Sequence, residues 1–275
     1  MSIGPDGTAY AISIAFNPDN KNAVAAAVSR DGGQTWGNLN LIIRNDEPTL
    51  QFFNDKESVT ANPVRAGVAY AVWDRLELPN SNPRANHHTA AYRGPTFFSK
   101  TVDFGKTWST PSVIVNVPSR QQTIGNQIVI DSRNNQTTLY NFFNLISPPF
   151  SKSAGKVAFI KSTDDGVTWT KPKIIANLKT AGVTDPNTGE VVRTGDIIPE
   201  PAIDPATGHL YVVWQDSRFN GGRFDEVALS ASADGGATWS APIRVNTPTG
   251  KPASTPPCAS MLKAAWRSPT TISVT

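Results

Sequence analysis

The chain has 275 residues, 39% of them hydrophobic, enough for a substantial core, and sets 25 basic residues against 22 acidic ones. No dense run of Lys and Arg exists, which argues against a nucleic-acid partner, and no stretch is long and apolar enough to span a membrane. The single cysteine, Cys258, excludes a disulfide framework and a cysteine-based zinc site, while 20 Gly and 22 Pro spread along the chain suit short strands and tight turns.

In chain order, GPDG (4–7) reads as a turn into the alternating strand TAYAISIAF (8–16). NAVAAAV (22–28) and NLNLIIR (38–44) are two further apolar runs, and SRDGGQTW (29–36) lies between them. That eight-residue stretch recurs as TVDFGKTW (101–108), STDDGVTW (162–169) and SADGGATW (232–239), with its Asp spaced by 72, 61 and 70 residues. The shared pattern is Ser/Thr-x-Asp-x-Gly-x-Thr-Trp. A short polar side chain can bond backbone N–H groups and close a turn. Gly permits positive φ where the chain reverses. Trp can bury its ring and offer its N–H to a carbonyl. Each copy lies between two apolar runs, so each predicts a hairpin turn. A catalytic residue would not need to occur four times. Asp31, Trp36, Asp103, Trp108, Asp164, Trp169, Asp234 and Trp239 are therefore assigned to architecture.

The wider repeat has four strands. Residues 57–117 supply ESVTANP, AYAVWDRL, PTFFSKT and PSVIVNV. The next unit supplies NQIVIDS, TTLYNFFNLI, KVAFIKS and KPKIIAN, and the last supplies DIIPEPAIDP, HLYVVWQDSR, EVALSAS and APIRVN. The first unit is expected to lack its first strand. Four-stranded antiparallel sheets repeated radially predict an all-β fold, a β-propeller, over residues 1–251.

This topology separates scaffold from site. With strands named A to D from the axis outward, the repeated turn joins C to D. The opposite end carries the segments entering strand A and leaving strand B. The unusual polar residues fall there: Asn54, Asp55, Lys56 and Glu57; Gln122, Thr123, Asn126 and Gln127; Arg193, Thr194, Asp196 and Glu200. Asp74 and Arg75 end one strand B, and Asp216 and Arg218 end another. Convergent polar groups at one concave mouth are the expected site. The alternative reading of Asp74–Arg75 and of Asp216–Arg218 is a pair of inter-blade salt bridges.

The four turns resemble the Asp boxes (BNR repeats) of the sialidase superfamily, over roughly residues 1–248. NDKESVTANP, YAVWDR, TIGNQIV, VRTGDIIPEPAIDP and YVVWQDSR are similar to bacterial sialidase-like proteins. The resemblance implies a six-bladed propeller, of which this chain holds about four blades, and removal of a terminal sialic acid or related acidic sugar from glycans. An arginine cluster holds the sugar carboxylate, a Glu-activated Tyr is the nucleophile, and an Asp is the acid/base. Carried onto this sequence, Glu200 would polarise the Tyr and Arg218, 18 residues on, would grip the carboxylate. Asp74 takes the place of the acid/base, and Arg75 and Arg193 are further arginines for the cluster. Asp55, Lys56, Asn126, Gln127 and Asp216 would contact substrate. The chain departs from the family at two points: no Phe/Tyr-Arg-Ile-Pro motif is present, and no Tyr matches the nucleophile. A non-catalytic propeller that binds glycan or protein at the same mouth is the second reading. The resemblance also implies a secreted or cell-surface protein without a cofactor.

His87 and His88 are adjacent in an extended loop, where their side chains diverge, and no third ligand sits at metal-site spacing, so no metal is expected. After residue 251 the texture changes. Residues 252–275 hold the only Cys and show no blade pattern. One choice of codons for residues 257–274, read two bases later, gives VRVNAEGRVAVTYYDFR, which restores a strand ending in Asp-x-Arg. The tail is thus expected to be frameshifted and the chain to be a fragment with exposed sheet edges.

Overall fold

The computed structural model describes residues 1–19, 21–46, 51–78, 92–148, 155–185, 187–247, 250 and 252–254. His87, His88 and residues 255–275 lie outside the described residues. Four antiparallel four-stranded sheets follow one another along the chain. The first holds β1 (Ser2–Ile3), β2 (Ala9–Phe16), β3 (Asn22–Ser29) and β4 (Gly37–Asn45). The second holds β5 (Phe52–Ala61), β6 (Ala69–Glu77), β7 (Thr96–Thr101) and β8 (Ser112–Val115). The third holds β9 (Gln122–Asp131), β10 (Thr138–Ile146), β11 (Gly155–Ser162) and β12 (Lys173–Asn177). A two-stranded ribbon, β13 (Val183–Thr184) with β14 (Val191–Val192), precedes the fourth sheet. That sheet holds β15 (Glu200–Ile203), β16 (Leu210–Asp216), β17 (Glu226–Ser232) and β18 (Ile243–Arg244).

The first sheet corrects the expectation of a missing strand. Ser2 pairs with Tyr10 and Ile3 with Ala9, so two residues ahead of GPDG complete it. A two-residue strand has no alternation to read.

Successive sheets pack face to face, and their first strands are neighbours. Ala61 N donates to Ser2 Oγ, Thr60 Oγ1 to Ile128 O, and Gln127 Nε2 to Pro199 O. The second strands β6, β10 and β16 are buried on both faces, which is why they read as unbroken apolar runs, whereas β2 is partly exposed. Val68, just before β6, with Tyr70 and Val72 on it, packs on Ile128, Ile130 and Leu139 of the third sheet. The alternate residues Ala71 and Trp73 pack on Val24 and Ala26 of the first. Burying each of the larger side chains stabilises the fold by about 1.5–3 kcal/mol.

The repeated turns share one geometry. In the third sheet Ser162 Oγ donates to Asp164 Oδ1 (2.7 Å) and accepts from Gly166 N (2.9 Å). Asp164 also accepts from Thr168 N (2.9 Å) and Thr168 Oγ1 (2.5 Å). The other three copies repeat these bonds, with Asp31 and Thr35, Asp103 and Thr107, and Asp234 and Thr238.

Each of the last three turns also latches onto the preceding sheet. A Cβ on Gly166 would stand 2.5 Å from the Phe98 ring, and one on Gly236 would stand 2.5 Å from Phe159. Trp169 meets Phe98 edge-on at 5.5 Å, and Trp239 lies against Phe142 and Phe159. Lys100 Nζ reaches the carbonyl of Asp165, and Lys173 Nζ that of Gly236. Among the described residues no sheet packs against the first turn. Trp36 is 43% exposed, which corrects the expectation that every repeat Trp is buried. The expected indole bond forms only locally, from Trp169 to Gly166 O, while the Nε1 atoms of Trp108 and Trp239 are buried without a partner. Among the described residues no hydrophobic cluster joins the first sheet to the fourth.

Candidate active site at the mouth of the inner strands

The inner strands begin at the end opposite the repeated turns. A cavity of about 440 Å³ opens there, lined by Asp55, Lys56, Gln122, Arg193, Asp196 and Ile198, among others. Five of these, Asp55, Lys56, Gln122, Arg193 and Asp196, are among the residues the sequence places at this mouth, and they come from the second sheet, the third sheet and the segment before the fourth.

A β-bulge aims Lys56. The pairing of β5 with β6 is regular from Phe52 to Asp55, skips, and resumes at Ser58. Lys56 adopts φ 50°, a left-handed conformation unusual for a side chain this long, with its ammonium 3.4 Å from Asp55 Oδ1. Such backbone strain costs about 1–3 kcal/mol and persists where the surroundings impose it.

The opposite wall, the segment carrying Arg193 and Asp196, is braced by residues that sequence reasoning missed. Gln215, nearly fully buried, accepts from Thr194 Oγ1 and donates to Thr194 O, clamping the segment that carries Arg193. Thr180 Oγ1 lies 2.8 Å from Asp196 Oδ2 and 2.5 Å from Asp225 Oδ2. Asp225 is sealed from solvent and accepts from the N–H groups of Ala181 and Gly182. Burial raises its pKa, and these bonds oppose the rise. The only sequence signal was Gln215, which stands where the parallel YAVWDR segment has no counterpart.

Beside the cavity lies an unusual carboxyl. Asp74 is the cross-strand partner of Asp55 and has no solvent exposure. Neither of its oxygens has a hydrogen-bond partner among the described residues. Burial raises its pKa well above the usual carboxylate range, and the charge of Asp55 raises it further, so the fold favours the protonated form.

The remaining predicted residues divide. Glu200 follows the cavity residue Ile198 by two positions, about 7 Å along the strand. It is half-buried, burial raises its pKa, and the Gln127 side chain bonds it. Asn126 is buried within the sheets, where it accepts from Thr96 Oγ1 and Asn141 Nδ2, each at 2.9 Å. Asp216 and Arg218 form a salt bridge at 2.7 Å, but within the fourth sheet's own unit rather than between blades as the alternative reading had it. Asp216 also accepts from Trp214 Nε1 (2.7 Å) and Lys179 N (3.2 Å), and Arg218 Nη2 donates to Asn177 O of the third sheet. This pair fastens the fourth sheet to the third, and Arg218 does not line the axial cavity. Asp74 and Arg75 make no such bridge. They are adjacent on β6, so their side chains leave opposite faces. Arg75 instead points toward the first sheet. It lies over Phe52 at 4.0 Å and donates to Asn45 Oδ1 at 3.1 Å.

No group of three or more potential metal ligands occurs among the described residues. No helix is long and apolar enough to cross a membrane.

By sequence the chain matches no family model and no curated protein. By structure it is similar to NanB sialidase from Streptococcus pneumoniae (TM-score 0.54, 10% identity, covering 87% of this chain and 50% of that one). A leech intramolecular trans-sialidase complexed with an anhydro form of sialic acid is also similar (0.51, 14%, 90% and 50%). So is an α-L-arabinanase from Penicillium chrysogenum complexed with arabinobiose (0.50, 14%, 87% and 60%). The chain spans about half the length of the sialidases it matches. Its all-β fold of successive four-stranded antiparallel sheets is like that of these solved structures.

Proposed function

We propose that the axial cavity is a saccharide site and that this chain is part of a sialidase-like glycoside hydrolase, built on Asp-box blades and acting on sialic acid or a related acidic sugar. The observation that carries the reading is the delivery of Lys56 and Arg193, from separate parts of the fold, into one polar cavity at the ends of the inner strands. Two cations flanked by Asp55 and Asp196 suit a ligand that carries both a carboxylate and hydroxyls. Glu200, deeper along the axis with its pKa raised by burial, supplies a proton-accepting group. Asp74, the sealed cross-strand partner of Asp55, acts as a positioning group. Arg218 belongs to the scaffold. Such a protein would meet its glycan outside the cell, secreted or at the surface.

The test is release of free sialic acid from 3′-sialyllactose, with arabino-oligosaccharides as the neutral comparison. Release that falls at least tenfold in both Arg193→Ala and Glu200→Gln supports the hydrolase. Saturable binding without release, lost in Arg193→Ala, moves the chain to the second reading, a glycan-binding propeller. Equal behaviour of wild type and Arg193→Ala overturns the site.

A further inference from the structure

The segment that carries Arg193 and Asp196 into the axial cavity is held from behind by two carboxyls and one hydroxyl. Thr180 Oγ1 lies 2.5 Å from Asp225 Oδ2 and 2.8 Å from Asp196 Oδ2, and it accepts from Gly182 N at 3.0 Å. The three side chains come from three places: the loop after β12, the approach to β15, and the residue just before β17. The loop after β12 is itself fixed. Lys179 N donates to Asp216 Oδ2, and Lys179 O accepts from Ser217 N and Ser217 Oγ.

Counting protons shows what this bridge requires. A hydroxyl donates once and accepts twice. The Gly182 N–H fills one acceptor position of Thr180. With both carboxyls ionised, the single hydroxyl proton serves one of them and the other faces a bare oxygen. With one proton on Asp225 Oδ2, every position is filled: Asp225 donates to Thr180, Thr180 donates to Asp196, and Asp225 Oδ1 still accepts from Ala181 N. Asp225 is suited to hold that proton because it is sealed from solvent, whereas Asp196 lines the cavity. Burial raises its pKa and the charge of Asp196 adds to the rise, against the pull of Thr180 and the two N–H groups. Neighbouring charges are spent elsewhere: Asp216 on Arg218, Glu226 on Arg244, and Lys56 on Asp55. Arg193 and Lys179 adjoin the bridge along the chain, and Arg223 lies over Phe224.

We propose that Asp225 is a positioning residue that fastens the Arg193 segment of the axial cavity in acid and frees it as pH rises. Protonated, it ties Asp196 to the fourth sheet through Thr180. When its proton passes to water, the carboxylate takes the Thr180 hydroxyl for itself and Asp196 is released. Because its folded pKa is raised, its contribution is complete below the unfolded value and is lost as pH rises through the folded one. Grip on a ligand weakens over the same step, a consequence that rests on the saccharide reading of the cavity; the bridge itself does not.

The test follows the carboxyl carbons of Asp225 and Asp196 by NMR in the intact chain, from about pH 4 to about pH 9. Asp225 should lose its proton above the ordinary carboxylate range, and the Asp196 resonance should shift in the same step. Over that step the amides of residues 194–198 should exchange at least fivefold faster, after correction for intrinsic rates. Asp225→Asn, whose amide N–H replaces the acid proton, should keep them protected throughout. Thr180→Val should leave them unprotected at every pH. Calorimetry with N-acetylneuraminate should show at least fivefold weaker binding above the step than below it, in wild type and in Glu200→Gln, and less than a twofold difference in Asp225→Asn. An Asp225 titration in the ordinary range, an Asp196 resonance that ignores it, or unchanged exchange would each overturn the proposal. So would a pH dependence that Glu200→Gln abolishes and Asp225→Asn retains. If N-acetylneuraminate binds at no pH, the saccharide reading fails, and the titration and exchange still decide the bridge.

Discussion

The two ends of the sheets solve the same problem in opposite ways. At the end of the repeated turns, the polar groups are closed on themselves: each Asp accepts from a Thr hydroxyl, a Thr N–H and a Ser or Thr hydroxyl. At the mouth, buried polar groups lack partners, notably both oxygens of Asp74, Nε of Arg75 and Nδ2 of Asn126. A buried polar atom without a partner costs about 1–3 kcal/mol. The turn end also holds unpartnered buried atoms, the Nε1 groups of Trp108 and Trp239, so the difference between the ends lies in their carboxyls, fully bonded at the turns and unbonded at Asp74 among the described residues. The turn end also contains its own control. The first turn makes the same internal bonds as the others, but among the described residues no sheet lies against it.

Breaking the latch should give the largest effect. Phe159, 3% exposed, receives Gly236 and Trp239, and Phe159→Ala should cost about 3–5 kcal/mol in denaturant unfolding. Gly166→Ala combines left-handed strain at φ +84° with a contact against Phe98 and should cost about 2–3 kcal/mol. Gly33→Ala, at φ +90° with no neighbouring sheet, should cost only the backbone share, about 1 kcal/mol. Trp36→Ala, at the exposed turn, should change stability by less than about 0.5 kcal/mol. Equal losses at the first and later turns would show that the turns stabilise only their own hairpins.

The two ends should also respond to pH with opposite sign. Thr168 hydroxyl and N–H bonds hold Asp164 down to about 2, against an unfolded value near about 3.9. Its contribution is present above the unfolded value and is lost as pH falls from about 4 toward 2. Burial raises Asp74, so its contribution is full below its unfolded value and is lost as pH rises through its folded one. Asp74→Asn should therefore raise the melting temperature by a few degrees at pH 7 and change it little at pH 4. Asp164→Asn should lower it at pH 7 and narrow the gap at pH 2. A rise with Asp74→Asn at both pH values would mean that the carboxyl is not held neutral by the fold.

The sequence by itself determined the repeat, its four-stranded unit and the end at which chemistry gathers. Those follow from local rules: a period-2 apolar pattern, Gly where φ turns positive, and Asp bonding a turn within five residues. It did not decide which mouth residues meet. Asp216 and Arg218, two apart, share a face and consume each other, whereas Asp74 and Arg75, adjacent, leave toward different sheets. Both pairs looked alike as strand ends. Lys56 reached the axial cavity through a bulge that no residue in NDKES announces. Thr180 and Asp225 were silent because their roles lie in partners 16 to 45 residues away. Only the packing of one sheet on the next fixed whether a charge was spent on the scaffold or left for a ligand. That choice depends on distances between strands, and no local pattern encodes them.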